Sequence, residues 1–154
     1  MLRISKLTDY GVVLSTHLAG LKEPKSVPQL ADETGLPEPT IAKVLKTLSK
    51  ADVVVSRRGA NGGYALARAP HAISIVEVIS ALEGPIAVTE CTDDSEDASC
   101  AHETHCAVRG NWQRINEAVL GALRGITLDE MARSSMNLIS LSRSREQAQQ
   151  QREA

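Results

Sequence analysis

The three cysteines of this 154-residue chain all lie in one short acidic segment. Cys91, Cys100 and Cys106 are separated by eight and five residues, and the segment that they bound contains no Val, Ile, Leu, Phe or Met. These surroundings argue against a role as small core hydrophobes. Thiolates are soft ligands that suit iron-sulfur clusters, zinc or copper(I), so three of them with one further donor predict a four-ligand metal site.

The spacing alone leaves the metal and the fourth ligand open. The further donor is His102, Glu103, His105 or a residue distant in the chain, and zinc fits the three cysteines as well as an iron-sulfur cluster does. A disulfide is one competing interpretation, but the odd cysteine count, the start without an apolar signal segment and the lack of a transmembrane run predict a reducing cytoplasm and no membrane partner. The second competing interpretation is an acidic loop that binds no ligand, since the segment has no Lys or Arg.

The formal net charge of -2 conceals a difference between the two halves of the chain. Residues 1–70 carry ten Lys and Arg against six Asp and Glu, whereas residues 71–154 carry seven against thirteen. A basic first half indicates a polyanion partner, and the acidic second half argues against a nucleic-acid surface there. With 42% hydrophobic residues, the chain can bury one modest core, or one small domain with an extension that needs a partner.

Hydrophobic periodicity in the first 50 residues predicts a helix-turn-helix. An amphipathic helix is expected over residues 7–21. Ser26 is the expected N-cap of a short second helix, and Gly35 can adopt the positive φ that closes it. A third helix is expected from about Pro39 to Lys50, with apolar residues on one side and lysines on the other. The second helix of such a pair can enter the major groove of DNA.

A β-hairpin is predicted directly after these helices. Residues 53–55 have the composition of a strand and residues 64–66 that of its return. Between them, Arg57 and Arg58 precede a glycine-rich tip, where Gly allows close approach of the backbone and Arg suits phosphates or a narrow minor groove. The alternative is an ordinary hairpin whose basic residues provide solubility. The preceding helices favour a winged helix that binds double-stranded DNA.

Helical periodicity resumes after the cysteine segment. A small winged helix offers little surface to cover a long apolar seam, so we expect a homodimer through the same helix of a second chain. Such a dimer places two recognition helices on a near-palindromic operator. Cys106 is expected at the N-terminus of this helix, where the helix dipole favours the thiolate. The predicted seam consists of Trp112, Ile115, Val119, Ala122 and Ile126.

Two motifs, taken with the cysteines, resemble those of a known family. The chain carries Leu7-Thr8-Asp9-Tyr10 near its start and Arg58-Gly59-Ala60-Asn61-Gly62-Gly63-Tyr64 at the wing. Over residues 1–133 it is similar to the winged-helix iron-sulfur regulators that include IscR, NsrR and the regulators of SUF cluster-assembly operons, and its opening residues look closest to the last of these. The resemblance implies a homodimeric bacterial transcription factor that binds an iron-sulfur cluster, 2Fe-2S or 4Fe-4S, rather than zinc.

The resemblance also implies a fourth cluster ligand. NsrR-like members use an aspartate near the start of the first helix, contributed by the partner subunit, and Asp9 matches that position. The histidine that IscR-like members carry three residues after the last cysteine is Arg109 here. His105 and then His102 are the alternatives to Asp9, which by its position can instead be a polar or capping residue at a helix start.

Matching the recognition helix of the family implies the residues that contact DNA. Thr40 and Lys43, next to Pro39 and Ala42, are expected to reach base edges. IscR-like members carry a Glu at the position of Ala42. The residues expected to hold phosphate or the minor groove are Lys46, Arg57 and Arg58. The implied function is repression of cluster-assembly genes when cluster is plentiful. A nitric-oxide or redox sensor on the same fold and a zinc-stabilised constitutive DNA-binding protein are the alternatives.

The predicted fold is mainly α with a small β-wing: a winged helix-turn-helix followed by a long C-terminal dimerisation helix. A short helix is also expected near residues 127–132, where Thr127 and Glu130 have capping-box spacing. No C-x-x-C pair, phosphate-cradling loop or hydrolase motif is present, so no enzyme is expected. The predicted segments are the DNA-binding domain (1–83), the cluster-binding loop (84–106), the dimerisation helix (107–133) and a disordered tail (134–154).

Overall fold

The computed structural model describes residues 4–59, 62–93, 100 and 105–134. The mainly helical fold with a small hairpin is confirmed, while residues 135–154, nearly all of the predicted tail, lie outside the described part of the chain. Two strands, β1 (Val54–Arg57) and β2 (Gly63–Leu66), pair antiparallel. The helices are α1 (Lys6–Ala19), α2 (Val27–Thr34), α3 (Glu38–Lys50), α4 (Ile75–Glu83) and α5 (Arg109–Arg124), and residues 128–134 are also helical.

Local capping residues define the helix-turn-helix. The N–H of Ser26 donates to the Gln29 side chain over 2.9 Å and the Ser26 hydroxyl accepts from the Gln29 N–H, which together form a capping box at the start of α2. Gly35 ends α2 with φ at 71° and donates its N–H to the Ala31 carbonyl over 2.8 Å. Both predictions from the sequence are confirmed. The first helix ends earlier than expected, at Ala19, because Gly20 closes it with bonds to the carbonyls of residues 17 and 18.

The core of the winged helix lies between α1, α3 and α4. Gly11 allows the close approach of α1 to α4, since a Cβ at this position would collide with the Leu82 side chain. On α3 the apolar side is buried and the lysine side is exposed, as the sequence predicts. The side chains in this core that are wholly inaccessible to solvent include Leu14, Leu30, Ile41, Val44, Leu45, Leu48, Ile73, Val78 and Leu128.

The chain returns to this core after α5. The Ile75 N–H donates to the Ile126 carbonyl over 2.9 Å, and the Leu128 N–H donates to the Ile73 carbonyl over 3.0 Å. The Leu128 side chain is 0% exposed. The predicted Thr127–Glu130 capping box is confirmed, with the Thr127 N–H donating to Glu130 Oε2 over 3.0 Å and the Glu130 N–H to Thr127 Oγ1 over 3.3 Å. Residues 126–134 therefore pack on the winged helix.

Part of the predicted apolar seam of α5 is exposed in this chain. Ile115 is 44% exposed, and Trp112 and Val119 are half-buried. Ile126, predicted to lie on the same seam, falls outside α5, because the helix ends at Arg124 and the chain then pairs with residues 73–75. Within the described ranges, none of the helices has the length and apolar content that crossing a membrane requires.

Candidate nucleic-acid interface and cysteine segment

The residues predicted to contact DNA lie on the outer side of α3 and on the wing. Pro39, Lys43 and Lys46 are exposed, and Thr40 is half-buried. Pro39, Lys43 and Lys46 stand opposite the side of α3 that packs into the core, so no apolar contact has to be broken for a ligand to reach them. This basic, solvent-facing helix is the expected form of a recognition helix.

The wing is attached to the helix-turn-helix by two backbone hydrogen bonds. The Lys25 N–H donates to the Tyr64 carbonyl over 3.0 Å, and the Tyr64 N–H donates to the Lys25 carbonyl over 2.8 Å. Lys25 lies between α1 and α2, so this pairing holds β2 against the segment that connects these two helices. Arg57, opposite Gly63 in the sheet, and Arg58 are both exposed. Residues 60 and 61 of the wing lie outside the described residues.

Gly63 makes this attachment possible, and its replacement tests it. Its φ is 152°, and an added Cβ would meet the Lys25 backbone, with the Lys25 amide nitrogen at 2.9 Å. We expect Gly63→Ala to lower the free energy of unfolding by about 2–4 kcal/mol, measured by urea denaturation, because strain and collision add. Gly59→Ala is the control: its φ is also positive, at 114°, but no described residue lies within 4 Å of an added Cβ. Equal losses for the two variants would contradict the collision.

Glu33 joins α2 to α1 and to Lys25, the residue whose backbone pairs with the wing. Its Oε1 accepts from Lys25 Nζ over 2.6 Å, and its Oε2 lies 2.7 Å from His17 Nε2. The hydrogen bond from Lys25, followed by that from His17, holds the pKa of Glu33 below its ordinary value of 4.5. A carboxyl with a lowered pKa stabilises the folded state most when it is ionised.

The Glu33 contacts predict a pH-dependent contribution to stability. We expect wild type to be more stable than Glu33→Gln at pH 7, and the difference to shrink as the pH falls below about 4.5 and to vanish below the lowered pKa of Glu33. Urea denaturation of both proteins between pH 7 and pH 3 measures it, with Asp32→Asn, an exposed neighbour on α2, as control. A difference that is the same at every pH would show that the Glu33 charge is not its source.

The three cysteines are free and half-buried. Cys91 lies in a short 3-10 turn, Glu90–Thr92, and its Sγ is 3.2 Å from the Thr89 hydroxyl oxygen. Cys106 lies in the turn that leads into α5, and its carbonyl accepts from the Arg109 N–H over 3.3 Å. Because α4 ends at residue 83 and α5 begins at residue 109, the cysteine segment connects the winged helix to α5.

The donor chemistry of this segment fits a thiolate-bound metal centre, since three reduced, accessible thiols come from one stretch of chain. Within residues 4–59, 62–93, 100 and 105–134, however, no three His, Cys, Asp or Glu side chains are grouped closely enough to hold a metal ion. His102 and the residues on either side of Cys100 are outside the described residues. The ligand set, with His105 as an alternative member, stays a prediction.

Asp9 is exposed in the first turn of α1. It does not cap the helix, because Ser5 is the N-cap and its hydroxyl accepts from the Thr8 N–H over 3.2 Å. The Ser5 N–H donates to Glu83 Oε1 over 2.6 Å, and this bond, followed by those from the Thr8 and Ser5 side chains, lowers the pKa of Glu83. The start of α1 is thereby tied to the end of α4, directly before the cysteine segment.

An open apolar groove with a volume of about 870 Å³ runs beside Asp9. It lies between α1, α4, the C-terminal end of α5 and the segment that follows α5, and Asp9 and Lys6 are its charged members. The Asp9 carboxylate therefore stands on an apolar face of the protein that the described residues leave uncovered. Apolar side chains lining the groove are Ile4, Val12, Ile75, Ile79, Leu123, Ile126 and Met131.

One polar residue in the vicinity of Cys91 was not predicted from the sequence. Asn116, on α5, is only 8% exposed, and its Oδ1 accepts the Val88 N–H over 3.0 Å. The available signal was an Asn with Trp112 one turn before it and Val119 one turn after it. An isolated amide among apolar residues of a helix is often held by a buried hydrogen bond.

Comparison with known proteins assigns a family to this arrangement. Residues 4–134 match the family model Rrf2, described as an iron-dependent transcriptional regulator. The chain is 34% identical over 133 residues to the HTH-type transcriptional regulator CymR of Bacillus subtilis, covering 85% of this chain and 90% of that protein. Both the family and this relative are named as transcriptional regulators, a class of proteins that are not enzymes.

Solved structures agree with this match. The structure of CymR, named the global cysteine regulator of B. subtilis, superimposes with a TM-score of 0.68 and covers 87% of this chain and 98% of that one. The structure of T. potens IscR, 29% identical, gives a TM-score of 0.66 and covers 87% of this chain and 88% of that one. The small antiparallel sheet and the helices before it are therefore those of a winged-helix regulator.

Proposed function

Because the chain belongs to the Rrf2 family of transcriptional regulators, we propose that it is a homodimeric regulator of the bacterial cytoplasm that senses iron-sulfur cluster status and represses cluster-assembly genes of the SUF type. The observation that carries this proposal is the position of the cysteines. Three free, half-buried thiols lie in the one segment that connects the winged helix to α5. A ligand bound there acts on the link between the DNA-binding and dimerising parts.

Cys91, Cys100 and Cys106 would hold the cluster, 2Fe-2S or 4Fe-4S, with Asp9 of the partner subunit as fourth ligand and His105 or His102 as alternatives. When bound, the cluster supplies bonds to thiolates, and its loading reports the supply of iron and sulfide. Two features of Asp9 support its assignment: the carboxylate is exposed, and Ser5 already caps α1, so that capping does not require Asp9.

The dimer would form through α5 and the groove beside Asp9. Ile115 on α5 is 44% exposed and Ile4 at the groove is 54% exposed, which is a large apolar area to leave in water. We assign the segments as DNA-binding domain (1–83), cluster-binding loop (84–106) and dimerising part (107–133). A two-fold axis through α5 sets two winged helices on a near-palindromic operator.

On the operator, Thr40 and Lys43 would contact base edges next to Pro39. Lys46 and the wing residues Arg57 and Arg58 would hold phosphates or the minor groove. The exposure of Lys43 and Lys46 on α3 and of Arg57 and Arg58 on the wing supports this division.

The geometry of α5 supports a route from loop to operator. Its C-terminal end is held on the winged-helix core through Ile126 and Leu128, whereas its N-terminal end follows Cys106 directly. A change in the conformation of residues 84–106 therefore acts on the N-terminal end of α5 and alters how two winged helices are set relative to each other.

Anaerobic purification followed by assay of iron, acid-labile sulfide, zinc and visible absorption tests the cofactor. Equal iron and sulfide with visible charge-transfer bands support the proposal, and operator affinity of loaded and cluster-free protein at matched salt tests the sensing. Equal affinities would refute it. Asp9→Ala is expected to lower or alter the visible bands, with Asp32→Ala, another exposed carboxylate, as control; unchanged bands would move the assignment to His105 or His102.

The similarity to CymR favours a second candidate, a metal-free regulator that responds to cysteine supply. The same purification separates the candidates. A purified protein that contains neither iron nor zinc would favour this second candidate. Zinc without sulfide would indicate a zinc-stabilised constitutive DNA-binding protein. A loaded protein whose operator affinity changes with nitric oxide or an oxidant, and not with cluster supply, indicates a nitric-oxide or redox sensor on the same fold.

A further inference from the structure

We infer that Asn116 is a positioning residue that anchors the Cys91 turn to α5. The anchor is the hydrogen bond from the Val88 N–H to Asn116 Oδ1, at 3.0 Å. Asn116 is 8% exposed, and it is the one buried residue of α5. A buried amide that loses its hydrogen-bond partner destabilises the fold. This bond therefore strongly favours one position of Val88 relative to α5.

Val88 leads directly into a hydrogen-bonded turn that reaches the Cys91 sulfur. The Thr92 N–H donates to the Thr89 carbonyl over 2.9 Å, and the Thr89 N–H donates to the Thr92 hydroxyl over 3.1 Å. These two bonds close residues 89–92 into a turn. The Thr89 hydroxyl lies 3.2 Å from Cys91 Sγ. The sulfur is thus held by a turn that the Val88–Asn116 bond joins to α5.

The location of the anchor gives it a role in the response. Asn116 lies seven residues into α5, and Trp112 and Val119 lie one turn to either side of it on the proposed dimer seam. The Cys91 turn and the seam therefore share one stretch of helix, which is separate from the covalent link through Cys106. The anchoring stands on the observed bonds, and its consequence for a bound cluster rests on the function proposed above.

Amide exchange in the metal-free, full-length protein tests the anchor without any cofactor. We expect Asn116→Ala to raise the exchange rate of the Val88 amide by about tenfold, measured by NMR, because the acceptor is removed. Alanine has the higher helix propensity, so α5 itself is not weakened. Asn116→Asp keeps an acceptor oxygen and is expected to retain protection, and Gln113→Ala, exposed one turn away, is the control.

Release of iron to a chelator from the reconstituted protein tests the consequence. Release is expected to be about tenfold faster from Asn116→Ala than from wild type, and unchanged in Gln113→Ala. An unchanged Val88 exchange rate, or an equal rise at every amide of α5, would overturn the anchor. A faster Val88 exchange with unchanged iron release would overturn its role in holding the ligand. A wild-type protein that takes up no iron refutes the proposed cofactor, while the Val88 measurement still decides the anchor.

Discussion

Replacing Cys106 with alanine is expected to abolish retention of iron and sulfide while the fold remains intact. Cys106 is half-buried in the turn before α5, outside the apolar core, so its side chain contributes little to stability. As one of only three thiols, however, it supplies a ligand that no other cysteine can replace. The iron content after anaerobic reconstitution should fall to background, and the free energy of unfolding of the cluster-free protein should change by less than about 0.5 kcal/mol.

Val108→Ala is the matched control for this variant. Val108 lies two residues away, is 48% exposed and has no metal-binding atom in its side chain. It should take up iron and sulfide like wild type. Iron retention by Cys106→Ala at the wild-type level would remove Cys106 from the ligand set and would leave the proposal without three thiolates.

The Arg57→Ala/Arg58→Ala double variant is expected to weaken operator binding about equally for all DNA sequences. Both guanidinium groups are exposed at the wing, where they are expected to neutralise phosphates or line a minor groove. Each phosphate contact that is lost lowers the dependence of log affinity on log salt by about 0.9, so the slope should fall by about 2. Fluorescence anisotropy with operator and unrelated duplexes over a salt series measures both quantities.

Lys43→Ala should behave differently from the wing variant. A residue that reads base edges loses about 1–3 kcal/mol on the operator and relaxes the preference for it over unrelated DNA. Arg124→Ala, an exposed cation on α5, controls for the loss of positive charge. A wing variant with an unchanged salt slope, or a Lys43 variant that loses the same affinity on every duplex, would contradict the division of roles between wing and α3.

Local sequence rules predicted the winged helix because its elements are determined by neighbouring residues. Ser26 and Gln29 cap α2 across three positions, Gly35 closes it through a backbone conformation that glycine tolerates, and the lysines of α3 alternate with its core residues. The Thr127–Glu130 capping box follows the same rule. In each case both partners lie within one turn of each other, so their types and spacing were sufficient.

The same rules misplaced Ile126 and did not identify Leu128 as a core residue. Helical periodicity continues through residue 126. The backbone of residues 126 and 128, however, hydrogen-bonds to residues 73–75, so that α5 ends before residue 126 and the Leu128 side chain lies in the core. This competition between helix and tertiary pairing has no local signature. The cysteine spacing likewise predicted thiolate chemistry but could not place the three sulfurs relative to one another.

By itself, the sequence determined the winged helix-turn-helix, its basic outer side, the three thiols between α4 and α5, and the family to which these belong. Only the tertiary structure decided how those parts are joined. The Ser5 N–H donates to Glu83 across 78 positions and the Val88 N–H to Asn116 across 28. Such bonds depend on where packing brings distant backbone amides, because the sequence around Glu83 or Asn116 does not specify which distant N–H becomes the partner.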